Sequence, residues 1–515
     1  MELAWEAHER LVSANRDKNA ILGETIERVP RDQPPVLITS AGLVRSHPRT
    51  VRVNSSPPDK LTPFTDPDFP PAPSSVGKTS SEDPRSRLRI SRTERDFATW
   101  VRLPDYIRRS NKLGVDEKIE LFGDIEPNDL TQGIVGDCWL LATMACLAEF
   151  PEAVESLFCG QKEAVADGRY RIKLFDLDQR SWEYVVIDDY IPCTTDESGA
   201  LNPLFAIPNG NQMWAALLEK AMAKFVGTYA QIAGGHEAFA MIAFTGFPQV
   251  YQFKRLPVDA ERRAVAKQNE WERGWAQWAG KFSPSCGYRP MLGEDRFMNN
   301  EEIFQRLIEY DRMNYLLAAS IICYPPQETA DDLVRPDGLF NGHAYSLLSL
   351  EQFEDVRLVK LRNPHGQGSD TRPTEWNGRW SDDSCEWNSN PSIANCVGHE
   401  RIHDGIFWMS FEDFARIFDK ILVLPYPMSQ PRGALSSIRR AKVRASMRTA
   451  AEEGKSKATM ALENLTDMDD VVTALHLMSV RPYDPYLNAP EWVRQDQATY
   501  IRWAHEKLGT TPQSS

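Results

Sequence analysis

One stretch, QGIVGDCWLLATMACLAEF from Gln132 to Phe150, constrains the fold more than any other. Its glycines and Asp137 form a turn, and the spacing of Leu140, Leu141, Met144, Leu147 and Ala148 starts a helix at or just after Cys138. A cysteine placed there meets the positive end of the helix dipole, where a thiolate is stabilised and the thiol pKa falls. That suits a nucleophile. It also suits a small packed hydrophobe, so the helix start alone decides nothing. Cys146, eight positions further on, lacks that placement and is read as core.

A helix this apolar needs a large body around it. The chain has 515 residues, 42% of them hydrophobic, enough for about three compact units. A small disulfide-held scaffold is excluded. The formal net charge of −14 argues against a nucleic-acid partner, because neutralising phosphates needs a basic face. Eight dispersed cysteines without close pairs point to a thiol-reducing, cytoplasmic setting with no bridges. The N-terminus MELAWEAHERLVSANRDKNAIL lacks the apolar run of a signal peptide, and no stretch approaches the roughly 20 apolar residues of a membrane span. An intracellular soluble protein without a transmembrane segment is expected.

The chain divides by composition. Residues 1–60 are polar and rich in proline and read as a largely flexible arm. From Leu61 the text changes, and Phe64 and Phe69 can anchor an extended segment on a neighbouring surface. The folded body runs from Trp100 to about Leu424. Trp214, Leu217, Leu218, Ala221, Met222 and Phe225 make a helical stripe, and Ser410 caps a further helix, with Asp413 three residues on and Met409 set to pack on Phe414. Tyr345 to Leu350 and Val356 to Leu361 read as strands. Between Gln252 and Asn300, Trp271, Trp275 and Trp278 fall at helical steps of four and three and suggest a packing stripe. After Pro431, Arg432, Arg439, Arg440, Lys442, Arg444, Arg448, Lys455 and Lys457 crowd one segment, a solvated basic helix or a contact for an acidic partner or a membrane surface. Trp492, Val493, Tyr500, Ile501 and Leu508 suggest a final docking helix.

Two more motifs bear on Cys138. His343 follows a glycine in NGHAYSLLSL and opens a strand, and Asn363 closes another just before Pro364. If these strands pair antiparallel, with His343, Tyr345 and Leu347 on one face and Val359, Leu361 and Asn363 on another, His343 and Asn363 meet at one end. Cys, His and Asn in that order are the parts of a thiol protease: nucleophile, base, and the amide that fixes the imidazole tautomer.

Here the chain resembles the calpain family of papain-like cysteine proteases, over roughly Leu61 to Leu424. The matching pieces are TDPDFP, Trp100 with Pro104, QGIVGDCWLLA, MWAALLEKAMAKFVGTY followed by GG, GHAYS, LRNP, EWNGRWSDDS and DGIFWMSFEDF. The resemblance implies an α+β fold of two lobes, a helical one (61–233) carrying the cysteine and a β-rich one (234–424) carrying His and Asn, with residues 425–515 as a basic and helical extension. It makes Cys138 the nucleophile, His343 the general base and acid, and Asn363 the residue that orients His343. Gln132, six before the cysteine, becomes the side-chain donor to the oxyanion hole beside the Cys138 backbone N–H. The implied activity is limited proteolysis of protein substrates by a calcium-dependent type of cysteine endopeptidase.

The family's calcium positions are only partly kept. Asp129 matches a ligand position in the first lobe, but the glutamate expected just before the aromatic-Trp pair is Gln212. In the second lobe Glu375, Asp382 and Asp404 match, while the expected glutamate two after Asp404 is Ile406. Each site lacks one strong anionic ligand, so calcium is expected to bind weakly or not at all. The covalent chemistry itself needs no metal. A second departure is His365, where the family usually has a tryptophan screening the His–Asn pair; the ring is either a tolerated loop substitution or a modifier of activity and pH profile. No β-sandwich or EF-hand module is recognised after Leu424. A competing reading takes Cys385, Cys396, His399 and His403 as a zinc site on spacing alone. Two other function classes stay open: a catalytically silent calpain-like scaffold, disfavoured by the complete triad, and a transglutaminase-type acyl transfer, disfavoured by Asn363 in place of Asp.

Overall fold

The computed structural model describes residues 63–111, 117–133, 136–196, 199–256, 271–292, 296–322, 334–366 and 375–428, all within the unit Leu61–Ser515. The N-terminal arm, the basic segment after Pro431 and the expected C-terminal helix lie outside the described residues. The described part is a mixed α/β structure in which helices precede and flank a large antiparallel sheet.

That sheet has nine strands among the described residues. Their order is Cys286–Pro290, Trp271–Trp278, Tyr251–Arg255, Lys420–Leu424, Leu316–Ile321, His343–Phe353, Val356–Arg362 and Ile406–Ser410, with Phe297–Met298 paired to the second. The central strands are apolar on both faces, and the period of two sorts their residues between two cores. Leu316, Ala318, Ala344, Leu422 and Leu424 join the core built by helices Cys138–Ala148, Trp214–Val226 and Glu237–Thr245. Leu317, Ala319, Ile321, Tyr345, Leu347, Leu361, Ile421 and Val423 face the other core, shared with helices Asn300–Arg312 and Phe411–Ile417. Burying both faces explains why the sequence reads there as runs and not as alternation.

The expected strands form, and they pair antiparallel. Leu347 lies opposite Leu361, however, so the two residue rows share one face of the sheet and do not lie on different faces. Ser410 caps its helix as expected, its Oγ accepting from Asp413 N–H at 3.1 Å, and Met409 and Phe414 are both buried in the same core. The Trp271 stripe is a correction. Residues 271–278 are a strand, with Trp271 buried in the core and Trp275 against the ring of Tyr251 at 4.6 Å. Gly274 is costly inside a helix and tryptophan fits a pleated surface, so pairing with Tyr251–Arg255 wins over the 3.6-residue spacing. Upstream, Phe69 is buried with its ring 5.7 Å from Tyr229, while Phe64 lies beneath the Arg169 guanidinium at 4.0 Å. The proline-rich segment is therefore docked. No helix among the described residues is long and apolar enough to cross a membrane.

Candidate active site

The Cys138 helix runs along the His343 strand in matched steps. Ser346 Oγ donates to Ala142 C=O at 2.8 Å, and the Ala344 N–H approaches the Cys138 sulfur. Four helical residues rise about 6 Å and two strand residues about 6.7 Å, so the register from 142 and 346 carries back to 138 and 344. Cys138 thus lies at the end of the strand that His343 opens. Cys146, two turns on, is buried and donates to Leu317 C=O at 2.9 Å, a core position as expected.

His343 and Asn363 meet. The imidazole Nε2 is 2.7 Å from Asn363 Oδ1, an acceptor, so Nε2 carries the proton and Nδ1 keeps its lone pair. Asn363 is itself fixed, its N–H donating to Gly405 C=O at 2.8 Å and its Oδ1 also accepting from His365 N–H at 3.0 Å. The His365 ring stacks on His343 at 4.5 Å with the planes 5° apart, and Phe340 lies 5.0 Å from His365. An imidazole therefore covers the His–Asn bond. Burial, and then His365, hold the His343 pKa well below the ordinary histidine value, and burial pushes His365 down to about 4.

Cys138 does start its helix, yet burial pushes its pKa up to about 12, with the Glu237 and Asp137 charges adding to the rise. The N–H groups of Ala344 and Trp139 pull the other way and do not offset it. Gln132 is buried six residues before Cys138, with its N–H donating to Pro364 C=O at 2.8 Å. That bond ties Gln132 to the residue after Asn363.

A buried acid pair lies under this helix start. Asp137 and Glu219 are buried beside each other, and Glu219 Oε1 accepts Ala206 N–H at 2.8 Å. Burial raises the Asp137 pKa to about 6 and raises Glu219 well above the carboxylate range. Both folded values exceed those of the unfolded chain, so the pair's contribution to stability is complete below about pH 4 and is lost as pH rises through the folded values. Glu219→Gln keeps the oxygen that accepts Ala206 N–H and cannot ionise. The urea midpoint is expected to fall between pH 5 and pH 8 in the wild type and to fall by less in Glu219→Gln; parallel declines would remove the pair as the cause.

The residues matched to calcium positions are only partly gathered. Asp129 is buried, with Oδ2 accepting Glu126 N–H at 2.6 Å, and burial raises its pKa to about 7. Gln212 Oε1 accepts Gly123 N–H at 3.1 Å. In the other group Glu375 and Asp382 come together with His403, not with Asp404, whose Oδ1 accepts Ile406 N–H at 2.9 Å. His403, which the calcium motif does not include, lies with these two carboxylates. The four-residue zinc reading also needs correction: Cys385 and Cys396 are exposed, His399 stacks on Trp387 at 4.2 Å, and among the described residues only His403 of the four joins a metal-compatible group. The seven described cysteines carry no disulfide.

Residues 64–424 match the family described as calpain family cysteine protease. The chain belongs to the calpain family. It is similar to the calpain-type cysteine protease DEK1 of Arabidopsis thaliana, 30% identical over 367 residues, 70% of this chain and 14% of that protein. It is also similar to Calpain-9 of Rattus norvegicus, 32% identical over 308 residues, 58% of this chain and 36% of that one. A third relative is the Calpain-1 catalytic subunit of Mus musculus, 30% identical over 299 residues, covering 57% and 34%. The match thus spans about a third or less of the length of these calpains.

Proposed function

We propose that this calpain-family chain is a cytoplasmic endopeptidase that performs limited proteolysis of protein substrates through Cys138, His343 and Asn363. The observation that carries the proposal is the pairing of a helix-start cysteine with a strand whose first residue, His343, is held by Asn363 at 2.7 Å. In this reading, the core divides into a helical lobe, 61–233, and a β-rich lobe, 234–424, with substrate between them.

With Nε2 protonated against Asn363, the lone pair at Nδ1 is the base that serves the thiol. Sγ attacks the peptide carbonyl carbon as its proton passes to Nδ1, and the carbonyl electrons move to oxygen. The oxyanion is met by the Cys138 N–H and the Gln132 side-chain amide, and one such donor typically contributes about 3 kcal/mol. Collapse breaks the C–N bond as Nδ1 returns its proton to the leaving amine, leaving a thioester. Water then attacks with His343 as base, releasing the acid and restoring the thiol. Asn363 keeps the ring in the productive tautomer throughout.

Labelling with an epoxysuccinyl peptide probe tests this directly. The expected result is a single adduct on Cys138, found by peptide mass analysis, that His343→Ala abolishes. A Cys138 that stays unmodified at millimolar probe, with and without calcium, would instead favour the scaffold reading.

A further inference from the structure

Glu375, Asp382 and His403 offer ligand atoms that all lie within 4.8 Å of one another. His403 Nδ1 is 2.9 Å from Glu375 Oε2, while Asp382 is 5% exposed and its Oδ2 has no hydrogen-bond partner. A buried carboxylate oxygen left without a donor is costly, and a cation is a direct way to satisfy it. Calcium is a poor fit: it takes six to eight oxygen ligands, whereas this group presents a ring nitrogen, Asp404 stands outside it, and Ile406 supplies no donor. We infer that Glu375, Asp382 and His403 form a site for a borderline divalent transition ion of the zinc class, with one position left for water.

The surroundings support that choice. Two ligand atoms at tetrahedral zinc distances lie roughly 3.4 Å apart, and the atoms of this group lie within 4.8 Å of one another. Imidazole with carboxylates suits zinc better than calcium. The other ring nitrogen, His403 Nε2, is 3.4 Å from Asp383 Oδ2, and Arg401 holds Asp383 at 2.8 Å, the carboxylate–histidine support that orients metal-bound imidazoles. His403 is 59% exposed, which leaves an entry path. The site also abuts the catalytic pair: Gly405 donates its N–H to Glu375 Oε1 at 2.5 Å, and its C=O accepts the Asn363 N–H at 2.8 Å.

The inference does not depend on the protease reading, and its test does not use activity. Calorimetric titration of ZnCl2 into the EDTA-treated full chain is done in Cys138→Ala, so that the active-site thiol cannot be the ligand. One site of micromolar or tighter affinity is expected, weakened at least tenfold by His403→Ala and by Asp382→Asn and unchanged by Cys385→Ser with Cys396→Ser. Cobalt is expected to give visible d–d bands that His403→Ala removes. Millimolar CaCl2 is expected not to displace zinc. Absence of zinc binding, binding indifferent to His403→Ala, binding lost with the two cysteines, or calcium binding more tightly would each overturn the assignment. The first of these would mean that His403 serves the carboxylates only as an ion-pair partner.

Discussion

Cys138→Ala is expected to bring peptide-bond turnover to background, a loss on the order of 10⁵-fold or more in kcat, with substrate affinity retained. The size follows from the roles of the groups. Without the sulfur no thioester forms, and what remains is binding and the oxyanion donors. His343→Ala is expected to cost about as much, because the thiol depends on the imidazole to take its proton. The double variant is expected to lose little more than either single one, since the two residues act as a unit. Single-turnover cleavage of a fluorogenic peptide measures all three. Losses that multiply, or Cys138→Ala activity above one hundredth of wild type, would rule out a shared acyl-enzyme step.

The largest expected effect on stability falls at Asp188. Its carboxylate and the Lys220 ammonium are both fully buried and paired, which joins the helix Trp214–Val226 to the turn between the strands Ser181–Ile187 and Tyr190–Thr195. Asp188 also accepts the N–H of Asp66 at 2.7 Å and of Tyr190 at 3.0 Å, and Lys220 donates to Tyr190 C=O at 2.6 Å. Asp188→Ala strands a buried ammonium and two backbone donors, at a cost of roughly 3–5 kcal/mol. For a cooperative unit of roughly 360 residues that is about 4–7 °C in Tm. Lys220→Met is expected to cost less, because Asp188 keeps its backbone donors and the methionine fills the space. Scanning calorimetry ranks the two, and equal or reversed losses would mean that packing, not charge, dominates the site.

Residue types at fixed positions made much of this legible in the sequence. The helix at Cys138, the strands at Tyr345 and Val356 and the cap at Ser410 are set by local periodicity and capping chemistry, which operate within a few residues. Antiparallel pairing of neighbouring strands was enough to bring His343 to Asn363. The stretch Trp271–Trp278 was misread because steps of four and three fit a helix as well as a strand, and only pairing with Tyr251–Arg255 separates them.

Burial and long-range neighbours were beyond reach. The helix dipole argument lowers a thiol pKa, but the sign at Cys138 comes from packing and from Glu237, ninety-nine residues away in the chain. The same limit applies to metal ligands. Spacing grouped His403 with cysteines that are exposed, whereas the fold turns it toward Glu375 and Asp382. The sequence by itself determined which side chains can do chemistry and the family that uses them, because nucleophile, base and amide are residue identities. The tertiary structure alone decided their surroundings and their company, because desolvation and Coulomb interactions depend on distances that no spacing along the chain encodes.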